Sequence, residues 1–349
     1  MPEIEIKLDS IELVRMSDQD YFSSKYKEYI SNSRLGFLNE DEDGSIEKFL
    51  SGFKEEYSDS FALGTAVHNL MLQPDDYYIS KCDKPTAKLG EFAEKVFNLR
   101  KEGLKLKEAI NIASDQANYY SGKLSETRLK TAIKGSIKYY VQRMHLKEEV
   151  ENKSPLFLSK PMKEKLDSCI AGISANKNFL NKLRPKGLLE PITSLNEYAI
   201  FAEFIVRFEK EEKIVKVKGK LDNFTIDNET QTITLNDLKT TGRNVKFFMG
   251  NKVKEIDEAG NEVWRWYPGS MEKYHYYRQL ALYSLLLKAA LKQYYDIDYT
   301  IKVNMLVVET IPNFTSIVYP VNNKFIQRGL QEFKRLLVKV AENDLHKKL

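Results

Sequence analysis

The sequence predicts an α/β chain, with a mixed β-sheet flanked by helices in the C-terminal half and a helical block before it. The first observation is a change of period. From about 86 to 183 apolar residues recur at helical spacing, whereas after Pro191 the residues Tyr198, Ile200, Ala202, Phe204, Val206 and Phe208 alternate with their neighbours as in a strand. The second is that strong helical stretches at 271–291 and 322–340 bracket two more strand-like runs, 301–309 and 314–319. With a hairpin ending near residue 241, this half reads β-β-β-α-β-β-α.

In chain order, residues 20–80 read as short helices and loops. Ser31-Asn32-Ser33 stands before Arg34-Leu35-Gly36 as a helix cap would. The acidic run 40–44 reads as a loop, and 61–72 is helical until Pro74. Two long helices are expected over 104–120 and 124–144, and a third over 162–183 follows Pro155 and Pro161. Residues 242–270, rich in Gly, Asn and aromatics, read as an irregular excursion around Trp264-Arg265-Trp266-Tyr267. The expected organisation is an N-terminal segment over 1–85, a helical insert over 86–185 and an α/β core over 186–349, together one integrated domain.

Composition narrows the functional classes. The chain has 349 residues, 42% hydrophobic and 30% charged, which suits a globular protein with a sizeable core. No run of eighteen apolar residues occurs, and the acidic N-terminus lacks a signal peptide's apolar segment, so a cytoplasmic protein without a membrane partner is expected. Cys82 and Cys169 are too few and too far apart for a zinc set or a four-thiolate iron–sulfur cluster, and read as two buried thiols. The net charge of +4 is small but unevenly spread: residues 1–80 hold 7 basic against 17 acidic side chains, residues 81–190 hold 23 against 13. A basic middle third could form a face for a polyanion or a set of solvated helices.

The hairpin carries the chemistry. Val215, Val217, Phe224 and Ile226 lead to a turn at Asp227-Asn228-Glu229, and Ile233 and Leu235 lead away from it. Antiparallel pairing would set Asp222 beside Asp237. Side chains alternate, so Asp237 and Lys239 share a face while Leu238 points to the core. Two carboxylates and a lysine in that arrangement outline a magnesium-dependent phosphodiesterase site: Mg²⁺ takes hard oxygen ligands and the lysine orients water or offsets developing charge. A lone Asp-x-Lys is usually a surface ion pair; here the surrounding sequence is apolar.

Four motifs in order carry a resemblance. Gly64-Thr-Ala-Val-His68, Gly219-Lys-Leu-Asp222, Asp237-Leu-Lys239-Thr240-Thr241 and Gln279-Leu-Ala-Leu-Tyr283 resemble the motif set of the PD-(D/E)XK nuclease superfamily. The similarity is to its RecB/RecE-like branch and the phage exodeoxyribonuclease VIII-type exonucleases. Ser31-Asn-Ser33-Arg-Leu35 and Pro74 add to it, and the insert at 86–185 matches no motif. The resemblance implies a PD-(D/E)XK core and assigns roles. His68 would ligate a metal through a neutral ring nitrogen and Asp222 would bind two Mg²⁺ ions, for which Mn²⁺ can substitute. Asp237 and the Leu238 carbonyl would complete the site, Lys239 would be the catalytic lysine, and Gln279 and Tyr283 would support it and touch DNA. Glu197, on the preceding strand, reads as structural.

Ser33 and Arg34 are candidates for a 5′-phosphate, with Thr240 and Thr241 as further phosphate contacts, although helix capping suits Ser31 or Ser33 equally. Lys130, Lys134 and Lys138 share one helix face and would suit DNA backbone contacts or a solvated stripe. Trp264, Trp266, Tyr267 and Arg265 could stack on an unpaired base; packing of a loop by its own aromatics is the plainer account. The implied activity is 5′→3′ hydrolysis of linear duplex DNA ends that leaves 3′ tails. It implies a homo-oligomer, a single-strand annealing partner and a phage or prophage origin in a bacterial host. The alternatives are an endonuclease of the same superfamily and a catalytically inactive DNA-binding recombination protein.

Overall fold

The computed structural model describes residues 4–39, 45–52, 58–116, 134–135, 138–139, 141–143, 153–185, 192–208, 211–257 and 261–349. By internal contacts the chain divides into two compact units, Met1–Gly64 with Cys169–Leu349, and Thr65–Ser168.

The first unit is built on a seven-stranded mixed sheet. In chain order its strands are β1 (Ile4–Arg15), β2 (Ile30–Ser31), β5 (Thr193–Phe208), β6 (Glu211–Asp227), β7 (Thr232–Thr241), β10 (Thr300–Glu309) and β11 (Ser316–Pro320). Across the sheet the order is β1-β5-β6-β7-β10-β11, with β2 pairing β6 beside this path. All path neighbours are antiparallel except β7 and β10, which run parallel. The helix Tyr276–Tyr295 makes the crossover between those two strands, which a parallel pair requires. It packs with the helix Asn323–Glu342 against the sheet, and their Leu280, Leu287, Phe333 and Leu337 meet Val217, Leu235 and Met305 in one core. Strand β10 is buried from Val303 to Glu309, as expected of a strand covered on both faces.

The predicted β-β-β-α-β-β-α order is present, with two departures. The acidic N-terminus forms strand β1, in which Ile4, Ile6 and Leu8 alternate, and so do Ile11 and Leu13. An irregularity between Leu8 and Ser10 shifts the apolar parity from even to odd, which breaks a simple alternation count. The excursion at 242–270 is not irregular. It contains a second antiparallel pair, β8 (Asn251–Ile256) and β9 (Glu262–Tyr267), whose lysines and glutamates mask the strand pattern.

The second unit contains the helices Ala87–Lys101 and Leu106–Gln116, joined through Phe92, Val96, Ala109 and Ala113. A short parallel pair links β3 (Tyr77–Ile79) and β4 (Ser154–Leu156). The Arg143 guanidinium lies 3.8 Å from the Phe97 ring centroid and pairs with Glu94 at 2.5 Å. The helix expected over 104–120 ends at Gln116 among the described residues, and most of 124–144 lies outside them. The stretch 162–183 is two helices, Lys160–Ser174 and Lys177–Leu183, because the Asn176 side chain caps the second by accepting from the Phe179 N–H. Cys82 and Cys169 are both buried, one in each unit.

Candidate active site

The site forms where β6 changes partner. Asn223 pairs with Asn236, and beyond that point the β6–β7 ladder stops, so Asp222 and Asp237 face each other at the fork. On its other edge β6 pairs Asn223 with Asn196 and Leu221 with Tyr198, which sets Glu197 opposite Asp222. Further along, β6 is paired by β2 at Val217 and Lys218. Parting strands leave backbone groups in need of partners; here the Leu238 N–H donates to Asp222 Oδ2 at 2.7 Å.

A row of amides holds these strands in register. The Asn223 side-chain amide donates to Asn196 Oδ1 at 2.7 Å, Asn236 donates to Asn223 Oδ1 at 2.7 Å, and Asn304 donates to Asn236 Oδ1 at 2.9 Å. Four strands are thereby tied together one residue away from Glu197, Asp222 and Asp237. Sequence reasoning missed this row; its one visible signal is an asparagine beside each of the three acids.

Lys239 Nζ lies 2.6 Å from Asp237 Oδ2 and 3.9 Å from Asp222 Oδ2. The Gln279 amide donates to Asp237 Oδ1 at 2.9 Å from the helix Tyr276–Tyr295. Tyr283, one turn further on, is buried, and burial raises its hydroxyl pKa well above the tyrosine norm. Its ring lies against Gly219: a Cβ there would come within 2.4 Å of the ring. This is a physical reason for the glycine three residues before Asp222. Gly64 has a similar role, since a Cβ on it would meet the Thr240 hydroxyl at 3.0 Å.

Electrostatics set this cluster apart. Burial first, then repulsion by Asp222, pushes the Glu197 carboxyl up to about 7, although Lys220 pairs with it at 2.5 Å. Burial likewise raises Asp222 against the pull of Lys239. For Lys239 burial opposes the charge, yet Asp237 and then Asp222 hold its ammonium pKa well above the lysine norm. Three carboxylates, Glu197 and Asp237 buried and Asp222 half-buried, therefore meet two ammonium groups. Glu197 also has φ 57°, a left-handed conformation in mid-strand that costs a non-glycine residue about 1–2 kcal/mol. An oxygen of Glu197 and one of Asp222 lie within 4.8 Å of each other. Carboxylate oxygens at close spacing with a surplus of negative charge fit a hard divalent cation. Glu197, which the sequence presents as structural, is thus part of the cluster.

The remaining candidates lie as follows. Ser31 caps the helix Asn32–Gly36, its Oγ accepting from the Arg34 N–H at 3.2 Å. Ser33 lies within that helix. The Arg34 guanidinium donates to the carbonyls of Phe49 at 2.8 Å and Leu50 at 2.9 Å, a use of its charge within the fold. Thr241 is buried, and its hydroxyl accepts from the Arg243 N–H at 3.2 Å. His68 lies half-buried on the helix Asp59–Leu72, in the portion belonging to the second unit. Lys134 and Lys138 are exposed helical residues of that unit, and Lys130 lies outside the described residues.

No protein-family profile matches the chain, and no curated protein matches it. Among solved structures, one described as a "Putative exonuclease" from Eubacterium rectale is similar at a TM-score of 0.40 and 12% identity, covering 93% of this chain and 86% of its own. A likeness that slight carries no functional weight. No helix among the described residues is long and apolar enough to cross a membrane.

Proposed function

We propose that this chain is a divalent-cation-dependent deoxyribonuclease of the PD-(D/E)XK type. The observation that carries the reading is the fork of β6 and β7, where Asp222 and Asp237 converge on Lys239 while Glu197, paired with Lys220, stands against Asp222. Asp222, Asp237, Glu197 and the Leu238 carbonyl would hold the cation, one or two Mg²⁺ ions being the natural choice for oxygen donors. Bound there, it would offset charge on the non-bridging phosphate oxygens and ease deprotonation of water.

The chain's own residues divide the rest of the work. Lys239, beside Asp237 and Asp222, would act as a donor to the attacked phosphate or to the attacking water. Gln279 fixes the rotamer of Asp237 through one oxygen while Lys239 holds the other. Tyr283 locks the β6 backbone at Gly219 and so positions Asp222. The order of the four motifs supports the finer reading: an exonuclease on linear duplex DNA, running 5′→3′, leaving 3′ tails for an annealing partner and acting as a homo-oligomer. The same motifs assign His68 a metal ligand's role, which loss of cation affinity in His68→Ala would test.

The decisive assay incubates linear duplex DNA with Mg²⁺ or Mn²⁺ and the wild-type chain, Asp237→Ala or Lys239→Ala. Wild type should degrade the DNA and both variants should not. Wild type that binds DNA yet leaves it intact with either cation would sink the enzyme reading in favour of an inactive binding protein. Cleavage of closed circular DNA would point to an endonuclease, and end-labelling each strand in turn reports polarity.

A further inference from the structure

The segment between β7 and the helix Tyr276–Tyr295 joins the two elements that hold Asp237, Lys239 and Gln279, and it is unusually apolar at its surface. Phe247, Trp264, Trp266, Tyr267 and Tyr274 are all exposed, Trp264 by 66%. Strands β8 and β9 place Lys252 opposite Trp266 and Lys254 opposite Trp264, so lysines and tryptophans share one face of the hairpin. Trp266 is braced: its ring covers Gly250, where a Cβ would come within 2.2 Å, and its indole N–H donates to Glu272 at 3.0 Å. Trp264, unlike Trp266, makes no side-chain hydrogen bond or ring contact among the described residues, so the hairpin leaves this one ring unpacked.

Charge in this segment is also one-sided. Among the described residues every acid is engaged: Glu255 with Arg265 at 3.3 Å, Glu262 with Lys254, Glu272 with Arg328 at 3.0 Å, and Asp257 with the Asn261 N–H at 2.8 Å. Arg243, Lys246, Lys252 and Lys273 are exposed and have no carboxylate partner among the described residues. The hairpin base is tied to the candidate site. Phe248 stacks on Tyr276 at 6.0 Å and 7°, and Lys239 Nζ lies 5.3 Å from the Tyr276 ring.

We infer that the β8–β9 hairpin is a stacking platform for single-stranded nucleic acid, with Trp264 taking a base and Lys252 and its neighbouring cations taking phosphates. Exposed aromatic faces with unneutralised cations complement a chain of anions bearing flat bases, which an apolar protein partner would not match. The assignment rests on the nuclease reading for the identity of its ligand and gives that site a hold on one strand beside the reacting phosphate.

The chain has two tryptophans, Trp264 and Trp266, so tryptophan emission reports on the hairpin alone. The full-length chain in EDTA is titrated with an oligodeoxythymidylate of about 16 nucleotides, a length at the upper end of one such platform. Emission should be quenched. Trp264→Ala should bind about tenfold more weakly, the order of one lost base stack, and Trp264→Phe should recover most of the affinity. Lys252→Ala should lower the slope of log affinity against log salt by about one. Equal quenching by duplex of the same length would reduce the patch to phosphate binding and overturn the stacking role. Absence of quenching would overturn the proposal and leave the patch to a protein partner. Cleavage is scored separately: DNA cut without quenching overturns the hairpin alone, and quenching without cutting keeps the hairpin and overturns the nuclease reading.

Discussion

Two glutamates of the first unit are sequestered in opposite ways. Glu332, on the helix Asn323–Glu342, is surrounded by donors. The Tyr277 hydroxyl donates to it at 2.5 Å, the buried Arg278 guanidinium pairs with it, and His275 Nδ1 lies 3.1 Å away. Burial opposes its charge, but these partners pull its carboxyl down to about 2. Glu197 faces Asp222 as well as Lys220 and is pushed up to about 7. A network whose charges close on themselves holds elements together, whereas one left negative is what the proposed cation would neutralise.

Removing one charge from each cluster sharpens this contrast. Glu332→Gln leaves Arg278 buried without its counter-ion and should destabilise the protein by about 3–5 kcal/mol, read from urea unfolding. A loss below about 1 kcal/mol would break the comparison. Lys239→Ala leaves the buried Asp237 without its counter-ion, so it should lower stability and also slow DNA cleavage by about 10²–10³-fold under conditions where the variant stays folded; cleavage that persists in the folded variant would recast the lysine as structural. Gly219→Ala forces a methyl into the Tyr283 ring and should cost about 1–3 kcal/mol, with cleavage falling alongside as Asp222 shifts.

The smallest effect carries the sharpest sign. In EDTA, Glu197→Gln should change stability near neutral pH by no more than about 1 kcal/mol, and any change should be a gain, because it removes a disfavoured buried charge. The Glu197 carboxyl rises from 4.5 to about 7 on folding, so the native state holds its proton more tightly. Its contribution is full below about 4.5 and is lost as pH rises to about 7. Glu332 does the reverse: its contribution is present above about 4.5 and is lost as pH falls towards about 2. Melting temperatures across pH should show both limbs, with Glu197→Gln flattening the upper one. A wild-type Tm that climbs steadily from pH 5 to 7 in EDTA would contradict the assignment.

Local information suffices for the β6–β7 hairpin, because apolar residues at Phe224 and Ile226 before the polar turn and at Ile233 and Leu235 after it specify both strands and their register. That register alone brings Asp222 to Asp237, and strand parity alone puts Lys239 on the face of Asp237. The closing helices are equally legible from their apolar spacing. Other features depend on partners distant in the chain. Strand β1 exists only by pairing with β5, on the far side of the second unit in sequence. Glu197 reads as an ordinary strand acid until the pairing of β5 with β6 sets it against Asp222, and the asparagine row needs four strands side by side before it forms. The hairpin of Trp264 and Trp266 reads as a self-packed loop because exposure is a property of the whole surface. Periodicity determined the elements and one local cluster; tertiary packing decided which charges remain unbalanced, because burial and long-range pairing are not encoded in any short window.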